Sequence, residues 1–205
     1  MSTIDKDALI ATVVHDLRAP LNACLMSLSL AELKASEPAE VLKSVEVIRR
    51  NLERQATLIN DLADALQIVG EGLRLERENV DLEEIVSMAA SGVQVPEGVG
   101  VGKEPVGSVR FFADRDRLVR ATETLIESVA AAARAGDRVV VSAGRTNGGL
   151  RIAARITDRA GQGQEAPRRK RPEMRLLVAG EIVARHSGRL TLDEDAGAIE
   201  LPLDS

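Results

Sequence analysis

Aromatic side chains are nearly missing from this chain. Its 205 residues include two phenylalanines, Phe111 and Phe112, and no Trp or Tyr. That argues against a surface that reads single strands or RNA by stacking bases on rings. It argues equally against an aromatic-anchored binding face, because hot spots are rich in Trp and Tyr. There is one cysteine, Cys24, so no internal disulfide can form, and its place in an apolar helical run reads as a core thiol. Basic excess is absent too: 27 Lys and Arg stand against 32 Asp and Glu, a net charge of −5. This is not the footprint of a nucleic-acid binder. The one basic run, Arg168-Arg169-Lys170-Arg171, sits between Pro167 and Pro172 and reads as a solvated loop. No stretch approaches the roughly 18 apolar residues of a membrane span. The N-terminal MSTIDKDALI lacks a basic start and an apolar signal core, so the expected compartment is the cytoplasm.

What is present is an aliphatic pattern. Apolar residues make up 44% and charged residues 29%, ordinary for a globular protein, and the apolar share is Leu, Val, Ile and Ala. Ile10, Val14, Leu17, Leu21, Cys24 and Leu28 follow one another at steps of four and three. Val41, Val45, Ile48, Leu52, Gln55, Ile59, Leu62, Leu66 and Val69 keep the same alternation. These are heptad seams, and they predict two helices packed nearly parallel in axis. Ser36 and Pro38 suit the second helix as cap and first-turn proline, so residues 7–69 read as an antiparallel hairpin. A lone hairpin leaves an apolar face uncovered. Two hairpins joined in a four-helix bundle across a two-fold axis is the simplest solution. Gln55 interrupts the seam, and one polar residue at such a position commonly fixes register.

Residues 70–80 read as a linker or edge strand, and from Asp81 the pattern changes. Asp81 caps a helix over 82–90, and residues 92–107 hold loops and a weak strand. A strand over 109–113 precedes a helix over 115–135 closed by Gly136. Strands over 139–143 and 150–156 flank the turn Asn147-Gly148-Gly149. A helix over 174–186 ends at Ser187-Gly188, and a last hairpin covers 190–192 and 198–201. The expected fold class is α+β: a helical hairpin forming a dimeric bundle over residues 1–75, then an α/β sandwich over 76–205. The two phenylalanines are expected to anchor that sandwich core.

His15 is the residue most able to carry chemistry. In Val14-His15-Asp16-Leu17-Arg18-Ala19-Pro20-Leu21-Asn22 it lies about 100° round the helix from the seam residue Val14, at the edge of the seam. Pro20 removes one backbone hydrogen bond nearby and is expected to kink the helix. This segment resembles the H-box of sensor histidine kinases, in which His is followed by Asp or Glu and then Leu-Arg-Thr-Pro-Leu. Every position of the run but Ala19 agrees. The stretch Leu58–Leu66, with Gly72 and Val80-Asp81-Leu82, looks like the second helix and linker of the same family.

The resemblance implies that His15 accepts a phosphoryl group and that Asp16 orients it or acts as general base. A neutral imidazole offers a nucleophilic nitrogen near pH 7, and a neighbouring carboxylate can hold the other ring proton. It implies a docking face for a partner at Arg18, Leu21, Asn22 and Leu25, with the second helix near Leu52–Ile59. Ala19 stands where the family has a Thr or Asn that positions water, so phosphatase activity is expected to be weak or absent.

The second half resembles the family's ATP-binding domain with its site dismantled. The Mg²⁺-ligating Asn falls at Ser128, a poorer ligand. The adenine turn, normally Asp-x-Gly-x-Gly, reads Asp158-Arg159-Ala160-Gly161-Gln162-Gly163. The glycine-rich phosphate cradle becomes Pro172-Glu173-Met174-Arg175-Leu176-Leu177. Without glycine the backbone cannot approach phosphate, and Glu173 repels it. Nucleotide binding through Ser128, Asp158, Gly161 and Gly163 is therefore expected to be lost, and His186 reads as a structural helix end.

The build resembles that of phosphorelay intermediates. The expected partners are response-regulator receiver domains, with an upstream hybrid kinase as a further candidate. The expected assembly is a homodimer with no nucleic acid and no membrane. No cofactor of its own is expected, the Mg²⁺ being supplied by the receiver. The alternatives are a non-catalytic pseudokinase scaffold and an active histidine kinase with a divergent nucleotide site.

Overall fold

The structure, a computed structural model, describes residues 6–70, 74–157 and 173–203. The side chains of 6–16, of Arg54, Asp61, Asp64 and 67–70, and of Glu173 lie outside that description. The chain divides into two compact units, Met1–Gly72 and Leu73–Ser205.

The first unit is a pair of helices, α1 (Lys6–Leu33) and α2 (Pro38–Gly70). Pro38 opens α2, where its missing N–H costs nothing. The cap position belongs to Glu37 and not to Ser36: the Glu37 carbonyl takes the N–H groups of Glu40 and Val41 at 3.0 and 3.1 Å. Two cross-helix bonds fix the register. Cys24 Sγ donates to the carbonyl of Ile48 at 3.7 Å, and Gln55 Nε2 donates to the carbonyl of Leu17 at 3.3 Å. From 17 to 24 is seven residues forward, and from 55 to 48 is seven back, so the helices are antiparallel and matched heptad for heptad.

That register splits each expected seam into two rows. Leu17, Cys24, Val41, Ile48, Gln55 and Leu62 are buried or half-buried between the helices. The alternate residues are about half exposed: Leu21 48%, Leu28 49%, Val45 51%, Leu52 53% and Ile59 54%. A two-helix unit can close only one row, because a full apolar stripe is wider than one neighbour.

The second unit runs β1 (Glu78–Asp81), α3 (Leu82–Gly92), β2 (Gly100–Lys103), β3 (Arg110–Ala113), α4 (Arg115–Ala130), β4 (Arg138–Thr146), β5 (Gly149–Thr157), α5 (Glu173–Arg185), β6 (Arg189–Leu192) and β7 (Ala196–Leu201). The strands form two sheets. One has five strands in the order β2-β4-β5-β7-β6, and the other is the antiparallel ribbon β1-β3. β2 lies parallel to β4, with β3 and α4 between them in the chain, and every other pair is antiparallel. β4 and β5 meet through a two-residue turn at Asn147-Gly148, and Gly149 takes φ +150°. A Cβ there would run into the carbonyl of Leu201, so only glycine fits.

All three helices of this unit pack on the five-stranded sheet. The core between them holds Leu82, Ile85, Leu118, Leu125, Ile126, Leu150, Ile152, Ile182 and Ile199, each less than 2% exposed. Full burial of such a side chain contributes about 1.5–3 kcal/mol. α4 is the central helix, buried on nearly every side. Asp114 caps it, accepting from the Arg117 N–H at 3.1 Å. It ends at Ala130, five residues sooner than its sequence suggests. The reason is local: the buried Asp137 carboxylate takes the Arg134 N–H at 2.9 Å, and Gly136 turns the chain at φ +92°.

The two phenylalanines do not both anchor the core. Phe112 is 63% exposed, opposite Asn79 on the β1-β3 ribbon, while Phe111 pairs with Val80 and is half-buried. On a period-two strand the neighbours of a buried Ala113 must alternate outward.

Candidate functional site

The helical hairpin sets out the candidate phosphoacceptor segment. His15 and Asp16 lie on α1, where the description covers their backbone and not their side chains. The helix continues through Pro20, which is itself buried. Proline can give no N–H to the carbonyl four residues back, that of Asp16, so this turn is one hydrogen bond short. The next carbonyl, that of Leu17, receives the Gln55 amide from α2. Arg18, Asn22 and Leu25 are exposed at helical spacings of four and three, and form one stripe beginning a turn after His15. Leu21 is also exposed but falls in the row with Leu28. Ala19 is exposed on the same turn and carries no polar group.

The second unit places Ser128 on α4 with no exposed surface, and its hydroxyl has no hydrogen-bond partner. Its neighbour Glu127 forms an ion pair with Arg175 of α5, each side chain 15% exposed, and also accepts the Gln94 N–H at 3.2 Å. Met174, at the start of α5, is 5% exposed. Asp158, Gly161, Gly163 and the segment 164–171 lie outside the described residues.

These residues do not fit a divalent cation. A Mg²⁺ ion needs several oxygen ligands in octahedral array, usually one or two of them carboxylates. Ser128 offers one neutral, fully enclosed hydroxyl, and the adjacent carboxylate is held by a guanidinium. Among the described residues no group of three or more His, Cys, Asp or Glu side chains could hold a metal. No described helix is long and apolar enough to cross a membrane.

His186 closes α5 and is 8% exposed. Its Nε2 accepts the Asp114 N–H at 3.0 Å, which places the ring proton on Nδ1, where it is donated to the carbonyl of Ile182 at 2.8 Å. Burial pushes its pKa below the ordinary histidine value; Arg77 and Arg117 add to the fall, while the Ile182 carbonyl and Asp114 oppose it. Ser187 follows in the left-handed region at φ +58°, and Gly188 bonds back to Val183 at 2.9 Å. The ring is a structural joint between α4 and α5. What sequence reasoning missed is this Asp114–His186 joint and the Glu127–Arg175 pair, because both join positions far apart in the chain.

Residues 5–69 match the family described as His Kinase A (phospho-acceptor) domain. Over these residues the chain is similar to the phospho-acceptor domain of histidine kinases. Among curated relatives it is 26% identical over 153 residues to the sensor-like histidine kinase SenX3 of Mycolicibacterium smegmatis, covering 73% of this chain and 39% of that protein. It is 33% identical over 85 residues to the sensor protein KdpD of Escherichia coli, covering 41% of this chain and 10% of that protein. The chain thus spans well under half the length of either relative. In fold it resembles the Acinetobacter baumannii histidine kinase AdeS, with a TM-score of 0.65 at 16% identity, over 93% of this chain and 98% of that one. It also resembles the histidine kinase ThkA in its complex with the response regulator protein TrrA, with a TM-score of 0.60 at 16% identity, over 96% and 61%. The architecture is a helical hairpin similar to the phospho-acceptor domain, followed by an α/β unit with the fold of the histidine kinase structure it resembles.

Proposed function

We propose that this chain works in two-component signalling as a dimeric histidine phosphotransfer protein, with His15 carrying the phosphoryl group between receiver-domain aspartates. The observation that carries the reading is the match of residues 5–69 to a phospho-acceptor family, with His15 inside it on α1. The misfit of Ser128, Glu127 and Arg175 to a metal-bound nucleotide argues for a phosphoryl donor other than ATP.

In the transfer, a neutral His15 nitrogen attacks the phosphorus of an aspartyl phosphate. The N–P bond forms as the acyl phosphate P–O bond breaks, and the partner's carboxylate leaves. The proton on the other ring nitrogen passes to Asp16 or to solvent. The receiver brings the Mg²⁺ that offsets the phosphoryl charge. Arg18, Asn22 and Leu25 supply the docking stripe, and the half-exposed row of Leu21, Leu28, Val45, Leu52 and Ile59 is the seam a second copy covers. The setting is cytoplasmic, with neither nucleic acid nor membrane as partner and with an upstream hybrid kinase as the source of phosphoryl groups.

A second reading, an active kinase with a divergent nucleotide site, is favoured by the likeness to SenX3, which extends over 153 residues and so beyond the hairpin. One experiment separates the two. The protein is incubated in parallel with labelled ATP and Mg²⁺ and with a panel of phosphorylated receivers. Label on His15 from receivers alone is the expected result; label from ATP alone overturns it in favour of the kinase. A His15→Ala variant that still supports signalling in a reconstituted relay points instead to a scaffold.

A further inference from the structure

We infer that Gln55 is a positioning residue for His15, acting through the backbone of α1. The inference rests on the phosphotransfer reading above. Three observations converge on it. Gln55 stands half-buried in a row whose other described members are Leu17, Cys24, Val41, Ile48 and Leu62, and unlike the half-buried Asn51, whose amide stays within its own helix, it reaches across to α1. Its Nε2 reaches 38 residues back in sequence to one acceptor, the carbonyl of Leu17, at 3.3 Å. That carbonyl lies in the turn that holds His15 and Asp16, the turn that Pro20 deprives of a backbone hydrogen bond.

The bond that helps match the two helices heptad for heptad also bears on the turn beside His15: Gln55 donates to main chain, at the point where the helix is least held by its own ladder. The Leu17 carbonyl has two lone pairs, one for the helical N–H of Leu21 and one for a lateral donor. The amide from α2 therefore ties the weakened turn to the neighbouring helix. It limits how far the segment carrying His15 can swing while a phosphorus atom approaches. Gln55 touches no reacting atom.

The test uses variants whose rate and stability move in opposite directions. Gln55→Leu completes the apolar row and removes the donor. Gln55→Glu keeps size and polarity and removes the donor at pH 7.5. Gln55→Lys restores an N–H donor in a less apolar side chain. Phosphoramidate serves as probe: the His15 nitrogen forms an N–P bond, the donor's P–N bond breaks, ammonia leaves and the ring proton goes to solvent. Phosphohistidine is counted by ³¹P NMR and normalised to folded protein by circular dichroism.

Losing one neutral hydrogen bond corresponds to about a two- to tenfold fall in rate. The expected rate order is wild type and Gln55→Lys above Gln55→Leu and Gln55→Glu, with Gln55→Leu at least as heat-stable as wild type. Equal rates in all four proteins, or rates that follow stability, overturn the inference. A wild-type protein that takes no phosphoryl group from phosphoramidate or from any phosphorylated receiver removes the phosphotransfer reading and this inference with it. A labelled wild type with indifferent variants removes this inference alone.

Discussion

Replacing His186 with alanine tests whether the second unit is held by a neutral imidazole. The ring accepts the Asp114 N–H at 3.0 Å and is 8% exposed. Alanine leaves that N–H without an acceptor at the N-cap of α4, at a cost of about 1–3 kcal/mol. The Ile182 carbonyl is spared, because the His186 backbone N–H also reaches it at 3.2 Å. Loss of the ring's packing adds about 1–2 kcal/mol. The sum is about 2–5 kcal/mol, a large share of the roughly 5–15 kcal/mol that holds a domain together. With urea slopes of about 1–3 kcal/mol/M, the midpoint falls by about 1–2 M. The unfolding is followed by far-ultraviolet circular dichroism, since the chain has no Trp or Tyr to report by fluorescence.

The pH dependence has a definite sign. The folded pKa of His186 lies below its unfolded value, chiefly through burial. As pH falls below about 6.5 the unfolded chain takes the proton first. The joint therefore contributes fully above that pH and is lost as pH drops through the depressed folded value. The gap between wild type and His186→Ala is then largest at pH 7.5 and narrows at pH 5. His186→Gln, whose side-chain oxygen can accept the Asp114 N–H, restores part of the stability and carries no such pH dependence. A gap under about 1 kcal/mol at pH 7.5, well below the cost of an orphaned N–H, or a gap unchanged at pH 5, refutes the reasoning.

Three further outcomes follow from the same geometry. Ser128→Ala removes a buried hydroxyl that has no partner; it should leave stability unchanged or raise it by up to about 1 kcal/mol, read by calorimetry. Gly149→Ala forces a Cβ against the Leu201 carbonyl at φ +150° and should destabilise the unit by about 1–3 kcal/mol, read as a lowered urea midpoint. Leu52→Asp places a charge in the half-exposed row of α2; light scattering should then report a monomer, against the dimer proposed for wild type.

The periodic parts of this fold were legible in the sequence because a repeating pattern averages over many residues. The seams from Ile10 to Leu28 and from Val41 to Val69 located both helices. The cap at Asp81 and the turn at Asn147-Gly148 rest on chemistry within a few residues. What was illegible depends on contacts between distant positions. Heptad spacing alone does not tell which half of the seam faces the partner helix; the bonds Gln55–Leu17 and Cys24–Ile48 decide it. Strand propensity put both phenylalanines in the core, yet alternation on the β1-β3 ribbon turns Phe112 outward. α4 read as longer because its Ala-rich end favours helix, and the buried Asp137 intervenes only once the chain has folded.

The way the second unit is closed leads to its sharpest test. In a nucleotide-binding unit, metal and phosphates join the central helix to the loops around it, and part of the stability waits for the ligand. Among the described residues, α4 and α5 are joined by the Glu127–Arg175 pair, the buried Met174 beside it, and the Asp114–His186 joint at the far end of α5. Ser128 is enclosed without a partner, so a cation could reach its hydroxyl only after the packing around it opens. Opening a partly buried ion pair costs several kcal/mol before any ligand contact forms. Binding linkage turns this into a measurement. If the unit bound Mg·ATP with a Kd one hundredth of the added concentration, stability would rise by about 2.7 kcal/mol. That equals a shift of about 1 M or more in the urea midpoint. The packing predicts no shift with millimolar Mg·ATP. It predicts in addition that Glu127→Gln, which removes the carboxylate from the clasp, lowers the midpoint whether or not nucleotide is present. A midpoint that rises with nucleotide in wild type, and rises further in Glu127→Gln, would mean that the clasp is a gate over a working site.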